Sequence, residues 1–237
     1  MKNYFLTIDT ETSQNNLVVD FAATITDKKG TIVNQCAVLV RDVYNDRENS
    51  PLFYMGDADP LWGKATLPAR YARYDRMIDA GTRMLASVSG INAWLAKAQS
   101  AYDPILTAYN LAFDLDKCKN TAIDCTMFSR SFCLWQAAYA VFGTSKAYRQ
   151  FVLDTHAFNA PTAHRNMTYK TNAETMARFV LGNPELEDEP HTALEDAIDY
   201  ELPILVKLVN NTKRKDWLYP DAANWQKVQV RDWFRVK

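Results

Sequence analysis

Leu17-Val-Val-Asp-Phe-Ala-Ala-Thr-Ile25 and Thr31-Ile-Val-Asn-Gln-Cys-Ala-Val-Leu-Val40 are two β-branched, apolar runs separated by Asp27-Lys28-Lys29-Gly30. Such a pair predicts two strands joined by a short hairpin loop, with Gly30 supplying the positive φ that the loop needs. Upstream, Tyr4-Phe-Leu-Thr-Ile8 predicts a further strand. Downstream, residues 41–82 break the pattern with charge, aromatics, Asp and Pro, and read as an irregular excursion with short helices. Residues 83–100 carry Met84, Leu85, Val88, Ile91, Trp94 and Leu95 at helical spacing. Pro104-Ile-Leu-Thr-Ala-Tyr109 suits a buried strand, 112–119 a helix, and Thr121-Ala-Ile-Asp124 a fifth short strand. Helical patterns then run to Asn210. An antiparallel start followed by alternating strands and helices predicts an α/β fold, a mixed five-stranded sheet flanked by helices.

The chain has 237 residues, is 48% apolar and 23% charged, and carries a formal net charge of -1, so it is long and apolar enough for one large core. A near-neutral balance means that any grip on phosphates comes from local patches. Cys36, Cys118, Cys125 and Cys133 form no C-x-x-C pair, which speaks against a zinc site. The first residues reach a charge too soon for a signal h-region, so the thiols read as reduced and the expected location is cytoplasmic. No apolar run approaches the ~18 residues of a membrane span, and no membrane contact is expected. A P-loop and a G-x-G-x-x-G are both absent, which excludes a glycine-loop nucleotide cradle.

Three segments carry candidate chemistry. Asp9-Thr10-Glu11 closes the first strand, and residues two apart on a strand share a face. Alone, the pair is a weak signal and reads first as a solvated strand terminus. Asn110-Leu-Ala-Phe113-Asp114 follows the buried strand and places Asp114 at a helix start, where a carboxylate is favoured with or without function. In His191-Thr-Ala-Leu-Glu-Asp196, Thr192 and Glu195 form a capping-box pattern. His191 and Asp196 then occupy the two staple positions, and should meet across the helix start.

These segments, in this order, resemble the DnaQ-like exonuclease superfamily in its DEDDh branch, over most of residues 1–210. Phe5-Leu-Thr-Ile-Asp9-Thr-Glu11-Thr12 resembles the first motif, Asn110 to Asp114 the second and His191 to Asp196 the third. Ile123-Asp124-Cys-Thr-Met-Phe-Ser-Arg130 is similar to the family's D-T-x-x-x-x-R stretch. Two features depart from the family. Thr12-Ser13-Gln14 stands where members often have Thr-Gly, and the interval between the first two motifs is long, which marks 41–82 as an insertion in the 1–210 domain. The lone domain with its aromatic, basic insertion also resembles bacteriophage nucleases, for which the location would be the host cytoplasm.

The resemblance implies an RNase H-like fold and 3′-to-5′ hydrolysis of phosphodiesters, with nucleoside 5′-monophosphates released. It implies two Mg²⁺ or Mn²⁺ ions held by Asp9, Glu11, Asp114 and Asp196, with Asp9 shared between them and His191 as general base. Hard oxygen donors suit these ions, and carboxylates so close could not all ionise without them. Thr10, Thr12, Asn110 and Phe113 would lie against the substrate. The expected partner is nucleic acid with a free 3′ end, preferably single-stranded DNA. An RNase T-like or oligoribonuclease-like RNA trimmer shares the same catalytic set, and a proofreading subunit held to a polymerase or replication partner is a third reading. In the insertion, Trp62, Lys64, Arg70, Tyr71, Arg73, Tyr74, Arg76 and Arg83 could stack on bases and pair with phosphates, or could bury their rings and show their arginines to solvent. The remaining 211–237 segment is basic and Trp-containing, with Lys213, Arg214, Lys215, Trp217, Lys227, Arg231 and Arg235, and reads as a solvated tail with phosphate contact second.

Overall fold

The computed structural model describes residues 3–57, 59–159 and 168–211. The expected basic tail from residue 212 onward and His164 lie outside the described residues. Six strands form one mixed sheet in the order β4-β3-β2-β1-β5-β6. They are β1 Phe5–Thr12, β2 Val18–Thr26, β3 Ile32–Val40, β4 Met84–Ala86, β5 Ile105–Ala108 and β6 Ser131–Cys133. β1, β2 and β3 pair antiparallel, while β4, β5 and β6 each join in parallel.

The hairpin forms as its sequence predicts. Asp27 Oδ1 accepts from the Lys29 and Thr31 N–H groups at 2.8 and 3.1 Å, and Gly30 has φ +83°. A Cβ on Gly30 would also lie 2.8 Å from Val206 Cγ2, so a close approach of the last helix adds to the need for glycine. Every residue of β2 is buried, as expected of a strand covered on both faces. Alternation along β1 divides the interior. Phe5 belongs to a core shared with Leu134, Met176, Ile204 and Leu205, and Leu6 and Ile8 to one shared with Ile91, Leu95, Leu111 and Cys118.

Two expected elements differ. The helix read over 83–100 is β4 followed by α3 (Val88–Tyr102). Ser87 caps the helix by accepting from Gly90 N–H at 3.2 Å, and the residues before it pair in parallel with Val38–Val40. The strand expected at Thr121-Ala-Ile-Asp124 is a turn ending α4 (Leu111–Asn120), where Ala122 has φ 59° and Ile123 N–H bonds back to Cys118 O. Ser131–Cys133 takes that place beside β5, and β4 adds a sixth strand to the expected five.

Residues 41–82 contain α1 (Arg41–Asn45), a 3-10 turn at Lys64–Thr66 and α2 (Leu67–Asp79). Their middle is tied to the end of β1 through a Ser13–Leu52 bridge and a 2.8 Å bond from Phe53 N–H to Thr12 O. After β6 come α5 (Leu134–Ala138), α6 (Lys146–Asp154) and α7 (Ala173–Leu181). The closing helical segment begins as α8 (Ala193–Glu195), widens into a π-turn over Asp196–Glu201 and ends as α9 (Leu202–Val209). Among the described residues no helix is long and apolar enough to cross a membrane.

Candidate active site

β1 runs on to Thr12, so Asp9 and Glu11 sit within the strand and share one face. The β1–β2 register shifts between Glu11 and Thr12, an irregularity common beside functional sites. α4 starts at Asn110, whose φ of 75° is left-handed, and Asp114 lies in its first turn. Thr10 Oγ1 donates to Asp114 Oδ1 at 2.8 Å and so locks α4 to β1. His191 is also left-handed, at φ 54°, immediately before α8. His and Asn are among the residues that best tolerate this region.

These residues converge on a cleft of about 530 Å³. Asp9, Glu11, Asp114, Asp196 and His191 line it, with Thr10, Thr12, Asn110 and Phe113. Donor atoms of Glu11, His191 and Asp196 lie within 4.8 Å of one another, so the staple positions meet as their spacing predicts. A larger groove of about 720 Å³, between Gly30 and α9, is lined by no carboxylate.

The capping box itself does not form. Thr192 is the N-cap but makes no side-chain cap bond. Asp20 of β2 takes over, accepting from Ala193 N–H through Oδ2 at 3.0 Å. Its Oδ1 accepts from Arg83 Nε at 3.1 Å, and Arg83 also donates to Glu195. Arg83 is 1% exposed and Asp20 fully buried, so Arg83 is not a phosphate contact. Asp20 is the β2 partner of Glu11 in the ladder. The buried ion pair thus ties the start of α8, with His191 and Asp196, to β2, beside the strand that bears Asp9 and Glu11.

Electrostatically the cleft is overloaded with negative charge. Burial, reinforced by Glu201 and then Asp114, raises the Asp9 carboxyl well above its ordinary value. Burial and Asp20 push Glu11 to about 8, with Arg70 opposing. Burial raises Asp114 to about 7 against the Thr10 hydrogen bond, and burial with Glu11 raises Asp196 to about 9. His191 is shifted down by burial and by Arg70 and Arg73, which favours the neutral imidazole. Asp9 Oδ2, Asp196 Oδ1 and Glu201 Oε2 are buried with no hydrogen-bond partner among the described residues. Clustered hard oxygens, raised carboxyls and orphaned acceptors fit divalent cations of the Mg²⁺ or Mn²⁺ type.

Not every residue picked out in the insertion reaches the cleft. Tyr74 is 2% exposed, and its ring packs on Tyr44. Tyr71 accepts from Leu52 N–H at 3.0 Å, with the Arg47 guanidinium 4.5 Å over its ring. Neither tyrosine lines the cleft, because α2 turns them into the core. Arg70 donates to Phe53 O and covers Trp62 at 4.7 Å, and Arg73 donates to Pro190 O. Trp62 does line the cleft, its ring centroid 4.5 Å from that of His191. His156 lies at the end of α6, away from it.

Sequence reading passed over Glu189 and Glu201, which line the cleft, and Asp20, which braces it. Glu189 is raised to about 7, chiefly by burial. Glu201 carried a legible signal, since it interrupts the buried stripe of Ala197, Ile204, Leu205 and Leu208. Asp20 likewise interrupts the apolar run over 17–25, but nothing local marked Arg83 as its partner.

No family model matches this chain, and no curated protein matches it. Among solved structures it is similar to exonuclease I in complex with the inhibitor BCBP, at TM-score 0.46 and 14% identity over 92% of this chain and 43% of that one. It is also similar to the metal-free form of the E. coli ExoI–ssDNA complex, at TM-score 0.45 and 15% identity over 92% of this chain and 41% of that one. The chain spans less than half the length of either structure.

Proposed function

We propose that this chain is a metal-dependent 3′-to-5′ exonuclease that acts on single-stranded DNA and releases nucleoside 5′-monophosphates. The observation that carries the reading is the convergence of Asp9, Glu11, Asp114, Asp196 and His191 on one cleft, with orphaned carboxylate oxygens facing inward. The 3′ polarity comes from the motif resemblance, which also frames 41–82 as an insertion in a domain ending near residue 210.

Two Mg²⁺ or Mn²⁺ ions held by Asp9, Glu11, Asp114 and Asp196 would supply charge neutralisation at the scissile phosphate and an acidified water. His191 accepts the proton of the attacking water on a ring nitrogen, a role that its lowered pKa favours by keeping it neutral. Thr10 keeps Asp114 turned toward the cleft.

A strand reaching this cleft meets rings on two sides. Trp62 and Phe53 stand on the insertion side, and Phe113, 43% exposed with Lys117 Nζ 4.8 Å from its ring, on the α4 side. Unpaired bases stack on such rings and duplex bases cannot, which supports the single-strand preference. Of the expected stacking groups Trp62 remains, and Phe113 takes the place of Tyr71 and Tyr74.

The test uses 5′-labelled DNA and RNA, single- and double-stranded, after chelation and titration of Mg²⁺. The expected result is a ladder shortened stepwise from the 3′ end of single strands, DNA at least as fast as RNA, and silence in excess chelator. Internal cuts, or full activity in chelator, overturn the proposal.

A further inference from the structure

Pro203 has no N–H to offer the Asp199 carbonyl one helical turn back, and its ring crowds that oxygen. The turn just before it, Asp196–Glu201, is the π-turn. At the roughly 100° per residue of an α-helix, positions five apart point about 140° away from each other. With i→i+5 hydrogen bonds each residue turns roughly 80°, and positions five apart come within about 40°. The widened turn therefore brings Glu201 onto the face that carries Asp196, and both line the cleft.

Glu201 is 3% exposed. Its Oε1 accepts from Tyr109 N–H at 3.2 Å, which pins it to the end of β5 just before Asn110 and Asp114. Its Oε2 is buried and has no hydrogen-bond partner among the described residues, and neither has Asp9 Oδ2. Among the described residues no ion pair with Lys or Arg serves it. The charges acting on it from Asp114, Glu189 and Asp196 are all negative. A carboxylate buried among carboxylates with one oxygen idle is costly unless a cation takes that oxygen. A core position at this site needs only an apolar side chain, as at Ile204 and Leu205 beyond it.

We propose that Glu201 is a fifth carboxylate ligand of the metal centre, beside Asp9 and Asp114, binding a divalent cation through Oε2. The π-turn is the device that delivers it. This inference rests on the metal-centre reading above. It also changes the charge balance of the site, since four carboxylates no longer make up the whole ligand set.

The experiment is calorimetric titration of Mn²⁺ alone, without nucleic acid, into the full chain and its Glu201→Gln, Glu201→Asp and Asp9→Asn variants. Glutamine keeps the size and the Tyr109 bond of Glu201 but loses the charge. The expected result for Glu201→Gln is a roughly 10- to 100-fold weaker Mn²⁺ affinity or the loss of one binding event. Without metal it should unfold at or above the parent's midpoint, because a buried acid among acids is replaced by a neutral amide, and the rise on adding Mn²⁺ should be smaller. Parent-like affinity and stoichiometry in Glu201→Gln overturn the inference while leaving the metal centre intact, provided Asp9→Asn is impaired. If the parent binds no Mn²⁺, the metal-centre reading falls and takes this one with it. Should Glu201→Gln fail to fold, Glu201→Asp decides: the shorter side chain must weaken Mn²⁺ binding, and parent-like binding refutes the assignment.

Discussion

Arg83→Met removes the cation of a buried triad while leaving an apolar side chain of similar length. Arg83 donates to Asp20 Oδ1 at 3.1 Å, to Thr82 O at 3.1 Å and to Glu195. The two acids are not equally hurt by its loss. Glu195's side chain is 32% exposed and can be resolvated, so its share is about 0–1 kcal/mol. Asp20's side chain is 0% exposed, and without Arg83 it keeps only the Ala193 N–H. Stranding one member of a buried pair costs about 3–5 kcal/mol. The expected loss is thus about 4 kcal/mol, which at a urea slope of about 3 kcal/mol/M lowers the midpoint by more than ~1 M. Adding Asp20→Asn to Arg83→Met removes the stranded charge but leaves an acceptor for Ala193, and should recover about half of the loss. Urea unfolding followed by circular dichroism reads all three proteins. A loss below ~1 kcal/mol in Arg83→Met, or a double variant no more stable than the single, would refute the bracing role.

Glu11, Asp114 and Asp196 titrate at about 8, 7 and 9 in the fold, above ordinary values of 4.5, 3.8 and 3.8. The metal-free native state therefore holds protons that the unfolded chain has released, and its stability should fall as pH rises from about 4 to 9. His191, shifted down, opposes this near neutrality, while Asp9, Glu189 and Glu201, all raised chiefly by burial, add to it. Thermal midpoints should be higher at pH 5 than at pH 8 without metal, with Mg²⁺ raising mainly the pH 8 value; a midpoint that climbs with pH would contradict the charge balance. His191→Ala should slow turnover by about 10²–10⁴-fold with Mn²⁺ affinity kept. Loss of Mn²⁺ binding in calorimetry would instead make the imidazole a ligand with Glu11 and Asp196. Trp62→Ala should raise KM on single strands roughly 5- to 100-fold, the worth of one stacked base. A fallen kcat at unchanged KM would reduce Trp62 to a support for the His191 ring.

The strands that open the chain were legible because their evidence is local: a period of two, β-branched runs and a glycine between Asp27 and Thr31. The site motifs were legible for the same reason, since Asp9 with Glu11, and His191 with Asp196, are each related by a short and regular backbone path. Where two local rules competed, pattern alone chose badly. Met84 and Leu85 fit the apolar face of a helix, yet pairing with Val38 and Leu39 makes them a strand. Ile123 fits a short strand, yet β6 fills that edge of the sheet from eight residues later in sequence.

The sequence by itself thus determined the α/β class, the hairpin and four carboxylates with one histidine as candidates. Only the tertiary structure decided that Asp20 rather than Thr192 caps α8, that Arg83 is a buried brace and that Tyr74 belongs to the core. It also decided that Glu201 turns into the cleft beside Asp9. The bonds of Asp20 to Arg83 and Ala193 span 63 and 173 residues, and Glu201 is carried inward by the π-turn over Asp196–Glu201. Short-range periodicity carries no information about which distant group will satisfy a buried donor or acceptor, and in this fold those pairings brace the cleft.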